Sequence, residues 1–245
     1  MSGAGSAAAA RKRAIREAVW ARLDAEGLAA FPRPITGRIP NFRGAQQAAA
    51  RLAATEVFQA TSTVKINPDA PQRPLRHLAL QAGKQVLVPT PRLRGGFLLL
   101  DPAAIPPGRL PAAASITGFA RYGRPLALDA LPPIDLVVMG AVAVAPDGAR
   151  LGKGEGYAEL EYAVLRMLGR LHPHTVVCTT VHDVQVVEAI PVEPFDVPVD
   201  LIATPTRVLA TDTKLPRPDR ILWDRLSPER LEAMPILAEL RAAGR

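Results

Sequence analysis

Three cations and a run of glycines are the residues of this 245-residue chain whose types and spacing point to chemistry. The glycines lie in Gly152-Lys153-Gly154-Glu155-Gly156-Tyr157. Alternate glycines let a backbone turn its N–H groups toward an anion with no Cβ in the way, and a helix starting just after them adds the positive end of its dipole. Lys153 stands inside this loop. The other two cations, Lys12 and Arg16, are four residues apart near the start of the chain, a spacing that stacks them on one helix face where both can reach the same anion. The chemistry implied is the holding of a phosphate. The loop is not diagnostic by itself: it lacks the GK[ST] ending of a P-loop, and its third glycine falls one residue too early for GxGxxG. Alone, it reads equally well as a flexible connection, and the cation pair as a solvated helix face.

The elements around these residues are the ones such a site needs. Residues 134–144 are apolar and valine-rich, too short to cross a membrane, which predicts a buried strand. After the loop, Leu160, Ala163, Val164, Met167, Leu168 and Leu171 recur at spacings of three and four, one face of a helix. The predicted order is strand, glycine loop, helix. Residues 11–28 read as a first helix with Ile15, Val19 and Leu23 on one face and Gly27 as its stop. Further helices are expected over 44–58 and 75–82, and strands over 61–67 and 85–89. Residues 89–96 form a loop carrying Arg92 and Arg94, and a short apolar segment follows over 97–100. Residues 101–133, rich in proline, read as irregular surface with at most short elements. A strand around Cys178, a hairpin over 199–210 and a last helix capped by Ser227-Pro228 and interrupted by Pro235 complete the chain. Helices alternating with short apolar strands predict an α/β fold with a largely parallel sheet, whose ligands bind at the carboxyl ends of the strands.

Composition bounds the function. No apolar run approaches the roughly 20 residues of a membrane helix, so no membrane partner is expected. One cysteine excludes an internal disulfide and suits a reducing, cytoplasmic location. The net charge of +7 points to polyanions, either nucleic acid or phosphorylated small molecules. Against nucleic acid stand an aromatic content of 4% and the lack of any RRM, KH or zinc-finger signature. His172, His174 and His182 have no supporting carboxylate or cysteine cluster for zinc. Residues 1–10 read as a disordered leader, residues 11–212 as the α/β domain, and residues 213–245 as a tail with a helix packing on it.

Several segments, in order, resemble the 5-formyltetrahydrofolate cyclo-ligase family, also called methenyltetrahydrofolate synthetase. They are Lys12-Arg13-Ala14-Ile15-Arg16, Gln81-Ala82-Gly83-Lys84-Gln85-Val86-Leu87-Val88-Pro89, the loop from Leu151 to Tyr157, and Asp196-Val197-Pro198-Val199-Asp200-Leu201-Ile202-Ala203-Thr204. Arg38-Ile39-Pro40-Asn41-Phe42, Asn67-Pro68-Asp69, Leu160-Glu161-Tyr162 and Ile221-Leu222-Trp223 are similar to one branch of it, the methenyltetrahydrofolate synthase domain-containing proteins. Some members of that branch carry an extra RNA-recognition domain, for which this chain is too short. The resemblance implies a three-layer α/β/α sandwich, ATP and magnesium as cofactors, and a reduced folate as substrate. It implies catalytic and phosphate contacts from Lys12, Arg16 and Lys153, a nucleotide cradle from Gly152, Lys153, Gly154, Glu155, Gly156 and Tyr157, and a magnesium ligand at Glu159.

The loop departs from the family pattern at three places. Glu155 replaces a basic residue and repels phosphate, Ala158 replaces a tyrosine, and Glu159 replaces the aspartate expected at the metal. Around residues 68–72 the prolines leave no acid matching the acidic strand exit of folate-binding relatives. Two function classes therefore follow: a cyclo-ligase converting 5-formyltetrahydrofolate to 5,10-methenyltetrahydrofolate, or a catalytically degenerate member that binds a nucleotide or the phosphates of RNA.

Overall fold

The computed structural model describes residues 3–106 and 108–244. The chain opens with α1 (Gly3–Ala25), followed by α2 (Ala45–Ala53), α3 (Glu56–Gln59) and β1 (Thr63–Ile66). Next come α4 (Arg73–Gln81), β2 (Gln85–Pro89), β3 (Phe97–Leu100), α5 (Leu110–Ala113), α6 (Ile116–Tyr122) and β4 (Arg124–Leu126). The second half holds β5 (Ile134–Val138), β6 (Ala143–Val144), β7 (Arg150–Leu151), α7 (Tyr157–Met167) and β8 (Leu171–Thr180). It ends with β9 (Leu201–Ala203), β10 (Val208–Ala210), α8 (Pro228–Ala233) and α9 (Pro235–Ala242).

Eight strands form one sheet in the order β10-β9-β8-β5-β1-β2-β3-β4. The five central strands are parallel, and β10, β3 and β4 join antiparallel at the two ends. Side chains that alternate along the central strands feed two separate cores, as a pleated sheet covered on both faces requires. Leu136 and Val138 of β5 join Val64, Ile66, Val86 and Val88 beneath Leu52, Phe58, Leu75 and Leu80 of α2 to α4. Val137 points the other way, with Leu87, Val177 and Ile202, against Tyr162, Ala163 and Leu165 of α7. This is the three-layer α/β/α sandwich. Cys178 is buried in the first of these cores, and its thiol pKa is pushed up by that burial.

Several boundaries differ from the sequence reading. Residues 134–144 are not one strand. β5 stops at Val138, and Ala143–Val144 pairs antiparallel with Arg150–Leu151 in a separate two-stranded ribbon. The turn is Pro146-Asp147-Gly148, where the Asp147 carboxylate accepts from the Ala149 N–H at 3.0 Å. The glycine loop therefore leaves this ribbon and not the central strand. The expected 44–58 helix breaks at Thr55, whose hydroxyl caps α3 by accepting from the Phe58 N–H. The first helix reaches back to Gly3, so residues 3–10, read as a leader, extend it; residues 1 and 2 lie outside the described residues. The C-terminal segment carries two helices, and Ile221, Met234, Ile236, Leu237 and Leu240 enter the same core as α7.

α1 does not pack on the sheet. Val19, Trp20 and Leu23 share a third core with Ile35, Ile39, Phe42 and the ribbon residues Ala143 and Leu151. The ribbon is what holds the first helix at the end of the sheet, above the carboxyl ends of the parallel strands.

Candidate functional site

β1, β2 and β5 all end on one side of the molecule, and the chain runs from β1 outward in both directions, so the sheet's order reverses there. Open α/β sheets bind ligands at such a place. A cleft of about 820 Å³ lies at this point. Its floor is the strand exits, Asn67, Pro68 and Asp69 after β1, Thr90 to Arg92 after β2, and Gly140 after β5. The glycine loop and the start of α7 form one side, α1 another, and Glu193, Phe195 and Asp196 close it.

Every residue singled out in the sequence lines this cleft: Lys12, Arg16, Gly152, Lys153, Gly154, Glu155, Gly156, Tyr157 and Glu159. They are not all free to meet a ligand. Arg16 donates from Nε to the Gly152 carbonyl at 2.7 Å, and its guanidinium lies against Gly154. Gly154 has φ +105°, and a Cβ there would sit 3.3 Å from the Arg16 Cζ, so both backbone conformation and space call for glycine. Gly156 caps α7 with no side-chain oxygen, so no side chain at that position competes for the N–H groups of the first turn.

Lys12 behaves differently. It is only 4% exposed, not solvated, and its ammonium donates to Glu193 at 2.8 Å and Asp196 at 2.6 Å while resting 5.3 Å from the centre of the Phe195 ring. Lys153 pairs with Glu155 at 2.7 Å. Lys12 and Arg16 thus share a cleft, but each has its own partner.

Three carboxyl groups, Glu161 buried and Glu159 and Asp69 partly buried, set the electrostatics of the walls. Glu159 accepts from Arg150, whose guanidinium also donates to the Gly140 and Val197 carbonyls at 3.0 and 3.2 Å. Burial alone would raise the Glu159 pKa, but Arg150 reverses this and holds it below the ordinary range. Glu161 meets Lys65 at 2.6 Å and accepts from Asn67 at 3.2 Å. Asp69 has no cation within ion-pair distance among the described residues, and burial pushes its pKa up against the opposing fields of Lys153, Arg76 and Lys65. Gly140 makes room for it, since a Cβ there would stand 2.6 Å from the Asp69 Oδ2.

Sequence reasoning missed Asp69, Glu161 and Arg92. It found no acid at residues 68–72 that matches the family's catalytic acid, yet Asp69, three residues past the end of β1, reaches the cleft floor. Glu161 was legible in principle, being one turn from Val164 and Leu165 on a face that is otherwise apolar. Arg92 stands at φ 55°, an unusual conformation for a side-chain-bearing residue; the sequence marks it as one of two loop arginines but does not tell it from Arg94.

An α/β/α sandwich with a cation-lined cleft, a glycine loop and an open helix terminus at the sheet's reversal point is a framework suited to an anionic ligand. A family model described as the 5-formyltetrahydrofolate cyclo-ligase family matches residues 8–205, and the chain belongs to that family. It is 47% identical over 237 residues to the methenyltetrahydrofolate synthase domain-containing protein of Mus musculus, covering 94% of this chain and 63% of the relative. Against the protein of the same description from Homo sapiens it is 47% identical over 238 residues, covering 94% and 61%. The chain thus spans under two thirds of these relatives' length. The solved structure of Aquifex aeolicus 5,10-methenyltetrahydrofolate synthetase superposes with a TM-score of 0.53 at 20% identity, covering 84% of this chain and 95% of that one. That likeness establishes the shared fold. Among the described residues no helix is long and apolar enough to cross a membrane, and no group of three or more His, Cys, Asp or Glu side chains is set to hold a metal ion.

Proposed function

We propose that the cleft binds ATP with magnesium and that the chain uses it to convert 5-formyltetrahydrofolate to 5,10-methenyltetrahydrofolate. The observation that carries this reading is the meeting of Arg16 with the glycine loop in a cleft that also holds Lys12, Arg13 and Lys153. In such a reaction the formyl oxygen attacks the γ-phosphorus and ADP leaves. The neighbouring folate nitrogen then attacks the formyl carbon and gives up its proton to water, and phosphate departs with the formyl oxygen. The protein's task is to position the reactants and neutralise charge in transit.

Arg16 and the backbone of residues 152–157 cradle the phosphates, with Lys12 and Lys153 as further counter-charges. Asn67 and Asp69 on the floor offer polar contacts to the reduced folate. Magnesium is commonly held by one or two carboxylates plus substrate phosphates; of the carboxylates that line the cleft, Glu159 would be one such ligand, with an Oε1 that already accepts from Arg150. When bound, the metal neutralises charge on the transferred phosphoryl group. We also infer a cytoplasmic location, supported by the unpaired, buried Cys178.

A second reading is favoured by a different observation. Lys12 is tied to Glu193 and Asp196, and Lys153 to Glu155, so two of the three cations are already neutralised. On this reading the chain is a degenerate member that binds a nucleotide, or the phosphates of RNA, without turnover.

One set of assays separates them. With 5-formyltetrahydrofolate and Mg-ATP, the enzyme reading expects the absorbance of the methenyl product and its loss in Lys12→Ala. ATP binding by calorimetry with no product supports the binding module, and a salt-dependent shift of labelled RNA supports its RNA form. Absence of any affinity for ATP removes the nucleotide site from both.

A further inference from the structure

The C-terminal segment lies beyond the family match at residues 8–205, and it is fixed firmly to the body. Arg217 pairs with Asp200 at 2.6 Å and donates to the Pro198 and Thr175 carbonyls at 3.2 and 3.3 Å. Ile221 and the residues of α9 enter the core shared with α7. Where residues 218–230 cross the start of α7, the contact is incomplete. A second cavity of about 370 Å³ remains there, next to the glycine loop and adjoining the main cleft.

This cavity has two distinct parts. Its inner wall is apolar: Leu160 and Ala163 of α7, with Phe195, Ile221, Leu222 and Leu226. Its remaining lining carries three arginines, Arg220, Arg225 and Arg230, all from the C-terminal segment. Glu155 and Glu159 also touch it, but each has its own cation, Lys153 and Arg150. Arg220 and Arg225 lean on their sequence neighbours Asp219 at 3.0 Å and Asp224 at 3.7 Å, at exposed positions where such pairs contribute little.

Arg230 is the exception. Its guanidinium lies over the Tyr157 ring at 4.5 Å, and it has no ion-pair partner among the described residues. Its Nη1 is removed from solvent with no hydrogen-bond partner among the described residues. A guanidinium nitrogen desolvated in this way is stabilised by an incoming acceptor, and an arginine held over an aromatic ring is pre-organised to receive one.

We propose that this cavity is a second binding site, taking a small organic anion whose apolar body fills the wall between α7 and the C-terminal segment and whose charge meets Arg230. The shared chemistry is an aromatic or aliphatic group bearing a carboxylate or phosphate. The volume falls within the range of small-molecule sites, and an apolar lining with a few convergent polar groups is their common composition. The site stands independently of what the main cleft binds. Gly154, Glu155, Gly156, Glu159 and Phe195 line both cavities, so an occupant would touch the same loop that borders the main cleft.

The test is calorimetric titration of the whole chain with 2-naphthoate, with 2-naphthyl phosphate and the uncharged 2-naphthalenemethanol alongside. Saturable one-to-one binding of either anion is expected, about tenfold weaker for the uncharged analogue. The tighter of the two anions identifies which acid group the site takes. Arg230→Met keeps the aliphatic stem over Tyr157 and is expected to weaken anion binding at least about fivefold. Leu226→Trp, which fills the cavity, is expected to abolish it, with thermal unfolding as the check that the variant is folded. Arg16→Ala, on the main cleft, should leave it unchanged. Binding lost in Arg16→Ala but retained in Arg230→Met would put the ligand in the main cleft and overturn the proposal, as would the absence of saturable binding or equal affinity for the uncharged analogue.

Discussion

Lys12 and Lys65 are both buried lysines beside the same cleft, each meeting a carboxylate at 2.6 Å, yet they are built in opposite ways. Lys65 projects from a central strand and Glu161 from a helix packed on the sheet, with side chains 1% and 6% exposed. Neither element can move without opening the core. Lys12 comes from a helix held at the sheet's end, and its partners lie on a loop, Glu193 with its side chain 24% exposed. A buried ion pair between rigid elements is strongly destabilising to break, because one charge is left stranded, whereas a pair with one partner on a wet loop can exchange that partner for water or a ligand. The first is structural. The second is a cation in reserve.

The largest effect should come from the rigid pair. Lys65→Met leaves Glu161 buried without its cation and is expected to cost about 3–5 kcal/mol in denaturant unfolding, much of it recovered when Glu161→Leu is added. Glu193→Gln in the same assay should cost under about 1 kcal/mol. If the two single variants lose equal stability, the distinction between the lysines fails.

Next in size is the loop itself. Gly154→Ala forces a side chain into φ +105° and against Arg16. A strained residue of this kind costs about 1–3 kcal/mol, so ATP affinity measured by calorimetry should fall about tenfold or more. An unchanged affinity would mean that Arg16 and the loop do not hold the nucleotide together.

Smaller still is the release of Lys12. Removing the Glu193 charge in Glu193→Gln should raise ATP affinity by about threefold to tenfold, the equivalent of roughly 1 kcal/mol. A decrease would show that Glu193 assists the cation instead of competing for it.

The finest comparison is by pH. Burial would raise Glu159, but Arg150 lowers it below its ordinary value; the stabilisation is therefore present above that value and lost as pH falls through the depressed one. Burial raises Asp196 by more than Lys12 lowers it, so its contribution is present below the ordinary value and lost as pH rises through the elevated one. Unfolding followed over a pH series should show Glu159→Gln flattening the acid-side loss and Asp196→Asn flattening the loss toward neutrality. The same sign in both variants would erase the difference between the helix-borne and the loop-borne carboxyl.

Much of the fold could be read in advance, and the failures have physical causes. The strands at residues 85–89 and 97–100 stand where apolar runs end at proline or glycine, because those residues punctuate locally. The ribbon of residues 143–151 was misread although Pro146-Asp147-Gly148 is a strong turn signal, since the valine run before it looks continuous and a buried strand cannot be told from a buried hairpin arm by hydropathy alone. The site was half legible. Glycines and paired cations announce themselves by type and spacing, but Asp69 is an ordinary turn residue until β1 and β5 are laid side by side. Arg230 follows the Ser227-Pro228 helix cap, but nothing in its type or spacing sets it apart from the other arginines of the segment.

What the sequence determined by itself is local: which stretches form helix or strand, where glycine frees the backbone, which cations stand one turn apart, and which family the chain resembles. What only the tertiary structure decided is who meets whom. Lys12 finds carboxylates 181 and 184 residues away, Arg16 finds a carbonyl 136 residues away, and the C-terminal segment walls a second cavity next to the loop. Such meetings depend on how sheet order, crossover connections and the ribbon bring distant segments together, and no spacing along the chain encodes them.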